Sequence, residues 1–186
     1  MNETIKVLLE RRSIRAYENK PVSKEDLETI VQCGLYAATA MGIQPWHFTV
    51  VTDRAILDAI TKANSVAVLN DPNAPDTLKE SIRSGGFDSF RGAPCAILVS
   101  GPNSSDMTVA DCANATENMA IAAKALGLGS CYIASHKVCM LAPGGEEIKK
   151  LAGIPEGNIP FFALAIGYAA ENPEPAPRKE NNVTWL

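Results

Sequence analysis

Residues 106–126, DMTVADCANATENMAIAAKAL, carry the longest helical signal in the chain, and alanine dominates them. Alanine is the strongest helix former and brings almost no bulk. Met, Val and Ile complete the apolar content. A small-residue helix of this kind suits close packing on several sides, in the middle of a fold or across a subunit interface. The rest of the chain has to be arranged around it.

Just before this helix, CAILVS at residues 95–100 is a continuous apolar run, as expected for a central strand buried on both faces. FTVVT at residues 48–52 predicts a first strand, a short strand follows GLGS at residues 131–134, and PFFALAIGY at residues 160–168 predicts the last. Ile5, Leu8, Leu9 and Arg12 have helical spacing, so residues 4–12 read as a short helix. A second helix begins at Ser23, after Pro21. Ser23 can cap it, Glu25 and Asp26 suit the positive end of its dipole, and Leu27, Ile30, Val31 and Leu35 stripe one face. Further helices are expected over residues 53–63 and 145–152. Helices and strands mix without a regular βαβ alternation, which points to an α+β fold. At 186 residues the chain suits one domain spanning residues 1–186.

Two segments stand apart. Residues 70–92 are rich in Pro, Gly, Asp and Ser around a short helix at residues 77–84, and read as a mobile insertion or lid. From Ala169 the sequence AENPEPAPRKENNVTWL lacks the periodicity to fold alone, yet ends in Val183, Trp185 and Leu186. A tail with such anchors is expected to lie along a surface, that of a partner subunit included.

Charge and cysteine usage narrow the function classes. A net charge of -4 argues against general nucleic-acid affinity, which needs a basic face. No apolar run approaches the roughly 20 residues that span a bilayer. The start, MNETIKVLLERRS, has no signal-peptide layout. Five cysteines, an odd number without a CxxC pair, suit reduced thiols rather than a disulfide framework. Together these features lead us to expect a cytoplasmic protein. Cys131, His136 and Cys139 match no standard zinc spacing and lack a fourth ligand, so they read as buried residues and no metal is expected.

Against the acidic whole, RRSIR at residues 11–15 concentrates three guanidinium groups and a hydroxyl. A cationic helix end complements the dipole, and taken alone this is the commoner meaning. The other reading is half of a site for a multiply charged anion, with Arg as a planar multidentate donor and Ser as a short one. That reading needs donors from elsewhere, and PRKE around Arg178 and Lys179 is the candidate. ATAMGIQPWHF at residues 38–48 is either a structural turn with its Trp in the core or a run of small residues that lets a flat ligand approach the backbone. ALGLGSCYIAS at residues 125–135 lacks GxGxxG between a strand and a helix and so fails the dinucleotide-fold test. Its glycines read as helix stop and loop. Backbone donors at Ile133 to Ser135 are where a ligand would be met.

RRSIR after a first helix, QPWHF before the first strand, LGLGSCYIA after an Ala-rich helix and GY…PRKE near the C-terminus together resemble the FMN-dependent nitroreductase family. The resemblance covers nearly the whole chain, in order. It implies an intertwined α+β homodimer, with a central, mostly antiparallel sheet flanked by helices and two FMN sites at the subunit interface. On that scheme Arg11 and Ser13 hold the FMN phosphate with Arg178, and Lys179 is a second phosphate candidate. Arg12 lies along the ribityl chain, and Arg15 approaches the N1–C2 edge of the ring. Ala38, Thr39 and Ala40 of the partner chain lie against the ring. The backbone of Ile133, Ala134 and Ser135 faces the N5–C4 edge.

The implied activity is reduction of nitroaromatics, quinones or similar electron-poor small molecules by NADH or NADPH, in a ping-pong scheme through flavin N5 with no obligatory catalytic side chain. A cation near N1 favours the reduced, negatively charged flavin. Relatives that dehalogenate, oxidise a ring or degrade their own flavin, and a flavin-storing or flavin-sensing protein without turnover, stay open as alternatives. The chain departs from the family's frequent Pro-Ser-x-x-Asn at Ala38-Thr39-Ala40-Met41-Gly42, where Thr39 keeps a hydroxyl and Gly42 lacks the amide. Glu180 stands where proline is common. Phe87, Phe90 and Arg91 in the expected lid form no diagnostic motif, so the substrate is not legible.

Overall fold

The computed structural model describes residues 1–103 and 105–186. Among these, four strands form one antiparallel sheet: β1 (His47–Val51), β2 (Cys95–Pro102), β3 (Gly129–Ile133) and β4 (Asn158–Gly167), in the order β1-β2-β4-β3. The apolar run CAILVS lies in β2, between β1 and β4, as its composition requires. Side chains alternate across a strand, so β2 feeds two cores at once. Cys95, Ile97 and Val99 point into one core and Ala96 and Leu98 into the other. Near its start β4 carries a bulge, where Val99 pairs with Phe162 and Ser100 with Pro160. The extra residue, Phe161, turns to the same face as Phe162.

Helices cover both faces. On one side lie α2 (Lys24–Leu35) and α5 (Asp106–Ala125); on the other, α3 (Arg54–Asn70) and the short α6 (Val138–Leu141) and α7 (Glu146–Leu151). α1 (Glu3–Glu10) leans on α5. The alanines of α5 allow the expected close approach. Ala115, Ala120, Ala122 and Ala123 are all buried, and Met119 fits against Gly34 of α2. A Cβ at Gly34 would come within 2.8 Å of Met119 Cγ, so glycine there sets the α2–α5 distance. α2 begins as expected, with Ser23 accepting from the Asp26 N–H at 3.0 Å.

Some boundaries differ from the sequence reading. α3 runs to Asn70 rather than stopping near residue 63, because Val66, Ala67 and Val68 continue the helix without a breaker. A 3-10 turn (Ser135–Lys137) and α6 lie in a stretch whose sequence signalled neither. The expected lid contains α4 (Asp76–Arg83), but its end is held in the core. Phe90 is fully buried, and Asp88 accepts from Thr61 Oγ1 (3.2 Å), Phe90 N–H (2.7 Å) and Gly92 N–H (2.9 Å) while pairing with Arg54. Burial raises the Asp88 pKa, but the hydrogen bonds from Arg54 and Phe90 outweigh it and hold the carboxyl below its usual range. The last residues run as an irregular tail, with Trp185 91% exposed.

Candidate functional site

α1 ends at Arg11, where the chain turns extended and joins the free edge of β3. The Ile14 N–H donates to the Ser130 carbonyl at 2.8 Å, and Ser13 bridges Ser130 in parallel. Ile14 is buried beneath this contact, and a Cβ on Gly129 would lie 2.9 Å from it. The second glycine of GLG is therefore where RRSIR rests against the sheet. Further along, Tyr17 pairs with Ala169, and the Arg15 N–H donates to Glu171. The basic cluster is thus fastened to β3 on one side and to the start of the tail on the other.

The arginines have different partners. Arg12 donates to the Leu9 (2.7 Å) and Arg11 (2.8 Å) carbonyls, satisfying the end of α1. Arg11 reaches α5 and pairs with Glu117 at 3.1 Å. The Arg15 side chain is exposed and, among the described residues, makes one long bond, at 3.4 Å to the Ser13 carbonyl. The tail brings Arg178 back to this place, and Arg11, Arg12, Ser13, Arg15 and Arg178 line one cavity of about 300 Å³, walled by residues 173–176. Arg12 finishes a helix, as the first meaning of RRSIR has it, and the cluster as a whole also lines a cavity rich in guanidinium groups. Burial pushes the Cys131 thiol up, and the charges of Arg15, Arg91 and Arg11 pull it partly back. Guanidinium groups from two segments, RRSIR and the loop before β2, thus bear on β3.

The other expected residues lie elsewhere. Lys179 is exposed beside Arg178 and does not line the cavity. Ile133 is buried at the end of β3, and Ala134 and Ser135 are exposed where the next turn begins. Ala38, Thr39 and Ala40 sit over α5, away from the cavity within one chain. Asn114 donates to the Ala38 carbonyl at 3.3 Å, and Asp111 accepts from the Ala40 N–H at 3.0 Å. Met41 and Gln44, at φ 52° and 50°, take left-handed conformations that side chains seldom adopt. Glu117, Asp111, Asn114 and Glu171 went unread in the sequence. Asp111 and Asn114 had a signal, two polar side chains at i, i+3 in a helix of alanines. Larger grooves lie elsewhere: one of about 780 Å³ between α3 and residues 138–148, lined mainly by apolar side chains, and one of about 620 Å³ between α2 and β1, with a mixed lining.

Comparison with known proteins follows the same geometry. The sequence model of the nitroreductase family matches residues 8–168. A protein of Archaeoglobus fulgidus with the provisional name NADH dehydrogenase/NAD(P)H nitroreductase is 34% identical, over 90% of this chain and 86% of that one. A nitroreductase of Bacteroides fragilis, solved with bound FMN, superposes over 100% of both chains with a TM-score of 0.92 and 29% identity. A nitroreductase of Desulfitobacterium hafniense, also solved with bound FMN, covers 100% of this chain and 99% of its own, with a TM-score of 0.91 and 27% identity.

Proposed function

Because this chain belongs to the nitroreductase family, we propose that it is an FMN-dependent NAD(P)H oxidoreductase acting on nitroaromatics, quinones or related electron-poor small molecules. The observation that carries the proposal is the meeting of Arg11, Arg12, Ser13 and Arg15 with Arg178 on one cavity of about 300 Å³. That donor set fits a phosphate ester. Guanidinium groups offer paired N–H donors, and a serine hydroxyl reaches where they cannot.

Arg11, Ser13 and Arg178 would bind the phosphate, with Lys179 an outer cation and Arg12 beside the sugar chain. Arg15, whose exposed side chain makes one long bond to the Ser13 carbonyl, would place its charge at the N1–C2 edge of the ring. The backbone of Ile133, Ala134 and Ser135 would face the N5–C4 edge. FMN, when bound, supplies a two-electron carrier that takes a hydride from NADH or NADPH at N5 and reduces a second substrate in the same pocket. The protein's part is to hold the ring, fix a cation at its electron-rich edge and leave one face open.

A homodimer belongs to the same proposal. Ala38, Thr39 and Ala40 lie away from the cavity in one chain, so they would serve the ring bound by a partner. Leu9, Tyr36, Met41 and Trp185, between 60% and 92% exposed, supply apolar surface for that contact. A cytoplasmic location fits dependence on NAD(P)H and five free cysteines.

The test is reconstitution. Purified protein incubated with FMN should retain flavin absorbance through gel filtration, and anaerobic NADH or NADPH should bleach it. Protein that stays colourless would overturn the proposal. Flavin that is held but bleached by neither nucleotide would leave storage or sensing as the function.

A further inference from the structure

α3 turns Leu57, Ile60, Asn64 and Val68 into the core, and the third of these is polar. Asn64 is 1% exposed. An amide there has lost its water and has to find partners inside the protein. Its Nδ2 donates to the Ser89 hydroxyl (2.9 Å), the His136 carbonyl (2.9 Å) and, more weakly, the Ser135 carbonyl (3.3 Å). Its Oδ1 accepts from the Cys139 N–H at 2.8 Å. Carbonyls only accept and a backbone N–H only donates, so these partners leave the amide one orientation.

Three segments meet on this side chain: α3, the loop after α4, and the turn that follows β3. The loop is itself clamped to α3, with Ser89 N–H donating to Thr61 Oγ1 at 3.2 Å and Asp88 paired to Arg54. Apart from these bonds the turn is held by packing, with the Lys137 ammonium 5.7 Å from the Phe162 ring. Ala134 and Ser135 are exposed, while His136 is fully buried with its ring 6.5 Å from that of Phe90. A leucine at position 64 would continue the apolar stripe and fill similar volume. An amide there serves the backbone it orders.

We infer that Asn64 is a positioning residue, fixing the Ser135–Lys137 turn and, through it, the Ile133–Ser135 backbone that faces the flavin ring. This rests on the flavin reading above. Ordered in advance, that backbone meets the ring without reorganising. Donors held at the ring edge favour the electron-rich reduced flavin, so loosening them lowers the midpoint potential.

The test uses FMN-loaded protein carrying Asn64→Leu, Asn64→Asp or Ser89→Ala. Asn64→Leu removes all the bonds; Asn64→Asp keeps the volume and the acceptor for Cys139 but loses the donors. Both should shift the two-electron reduction equilibrium of bound FMN at least tenfold toward the oxidised form, about 30 mV. Anaerobic bleaching by NADPH should slow by a similar factor. Ser89→Ala leaves Asn64 on the turn, so it should lower thermal stability without moving the potential. Folded Asn64→Leu or Asn64→Asp protein with wild-type potential and bleaching rate would overturn the inference.

Hydrogen exchange of the wild type gives a readout independent of how the variants fold. The Cys139 N–H should be protected before FMN is added, and protection that appears only with FMN would assign the ordering to the ligand instead. Wild-type protein that takes up no FMN would sink the function itself, and this shows before any variant is made.

Discussion

Each arginine of RRSIR has its own environment, and this decides what its loss should do. Arg15 has few partners within the chain, so Arg15→Ala should leave the fold intact. A hydrogen bond to a charged group contributes about 1.5–3 kcal/mol net. At about 1.4 kcal/mol per decade, its loss should weaken FMN binding roughly 10- to 100-fold in a fluorescence titration. Unchanged affinity would remove Arg15 from the site. His136 makes a second residue-scale prediction. Burial drives its pKa from 6.5 down to about 3, the neighbouring Lys137 charge adds to this, and the Ile133 backbone offsets part of it. Between those values the unfolded chain binds a proton that the folded protein refuses, so stability falls as pH drops below about 6.5. The loss is about 1.4 kcal/mol per pH unit. His136→Leu should flatten the fall of Tm between pH 6.5 and 5. A slope matching the wild type would assign the acid sensitivity to other groups.

Among the elements, the seam between RRSIR and β3 joins the arginine-lined cavity to the sheet. Gly129→Ala would place a methyl 2.9 Å from Ile14 Cγ1 and 3.1 Å from the Ala169 side chain. Overpacking of this kind costs about 1–3 kcal/mol. Because the strain falls where the cluster is fastened, FMN affinity should drop together with the denaturation midpoint. A variant that loses stability but binds FMN as the wild type does would show that the cavity forms without the seam. The end of the expected lid has a similar lesson. Pro, Gly, Asp and Ser in residues 70–92 suggested a mobile segment, yet Asp88, Ser89 and Phe90 tie its last turn to α3. A polar residue reads as loop in a local pattern even when a distant partner buries it.

For the whole molecule, the sheet and its two helical layers make one body, while Trp185 and Leu186 stand in solvent in the single chain. The proposed dimer would cover them. Sedimentation should give a dimer, and Trp185→Ala should weaken self-association at least tenfold, since buried aromatic anchors dominate interfaces. A monomeric wild type would remove the shared site, and unchanged association of the variant would remove the tail from the interface. The order of the strands' sequences, the buried β2, the capped start of α2 and the alanine helix were all legible in the sequence, because each is set by local periodicity, propensity and end chemistry. RRSIR and PRKE were legible as charge, while the expectation that they join and that Ala38 to Ala40 serve a partner chain came from the family resemblance. The Glu117 partner of Arg11 and the hold of Asn64 on the turn after β3 were not legible. Those pairings join residues far apart in the chain. Only the packing of helices on the sheet determines which polar groups lose water together and must satisfy one another.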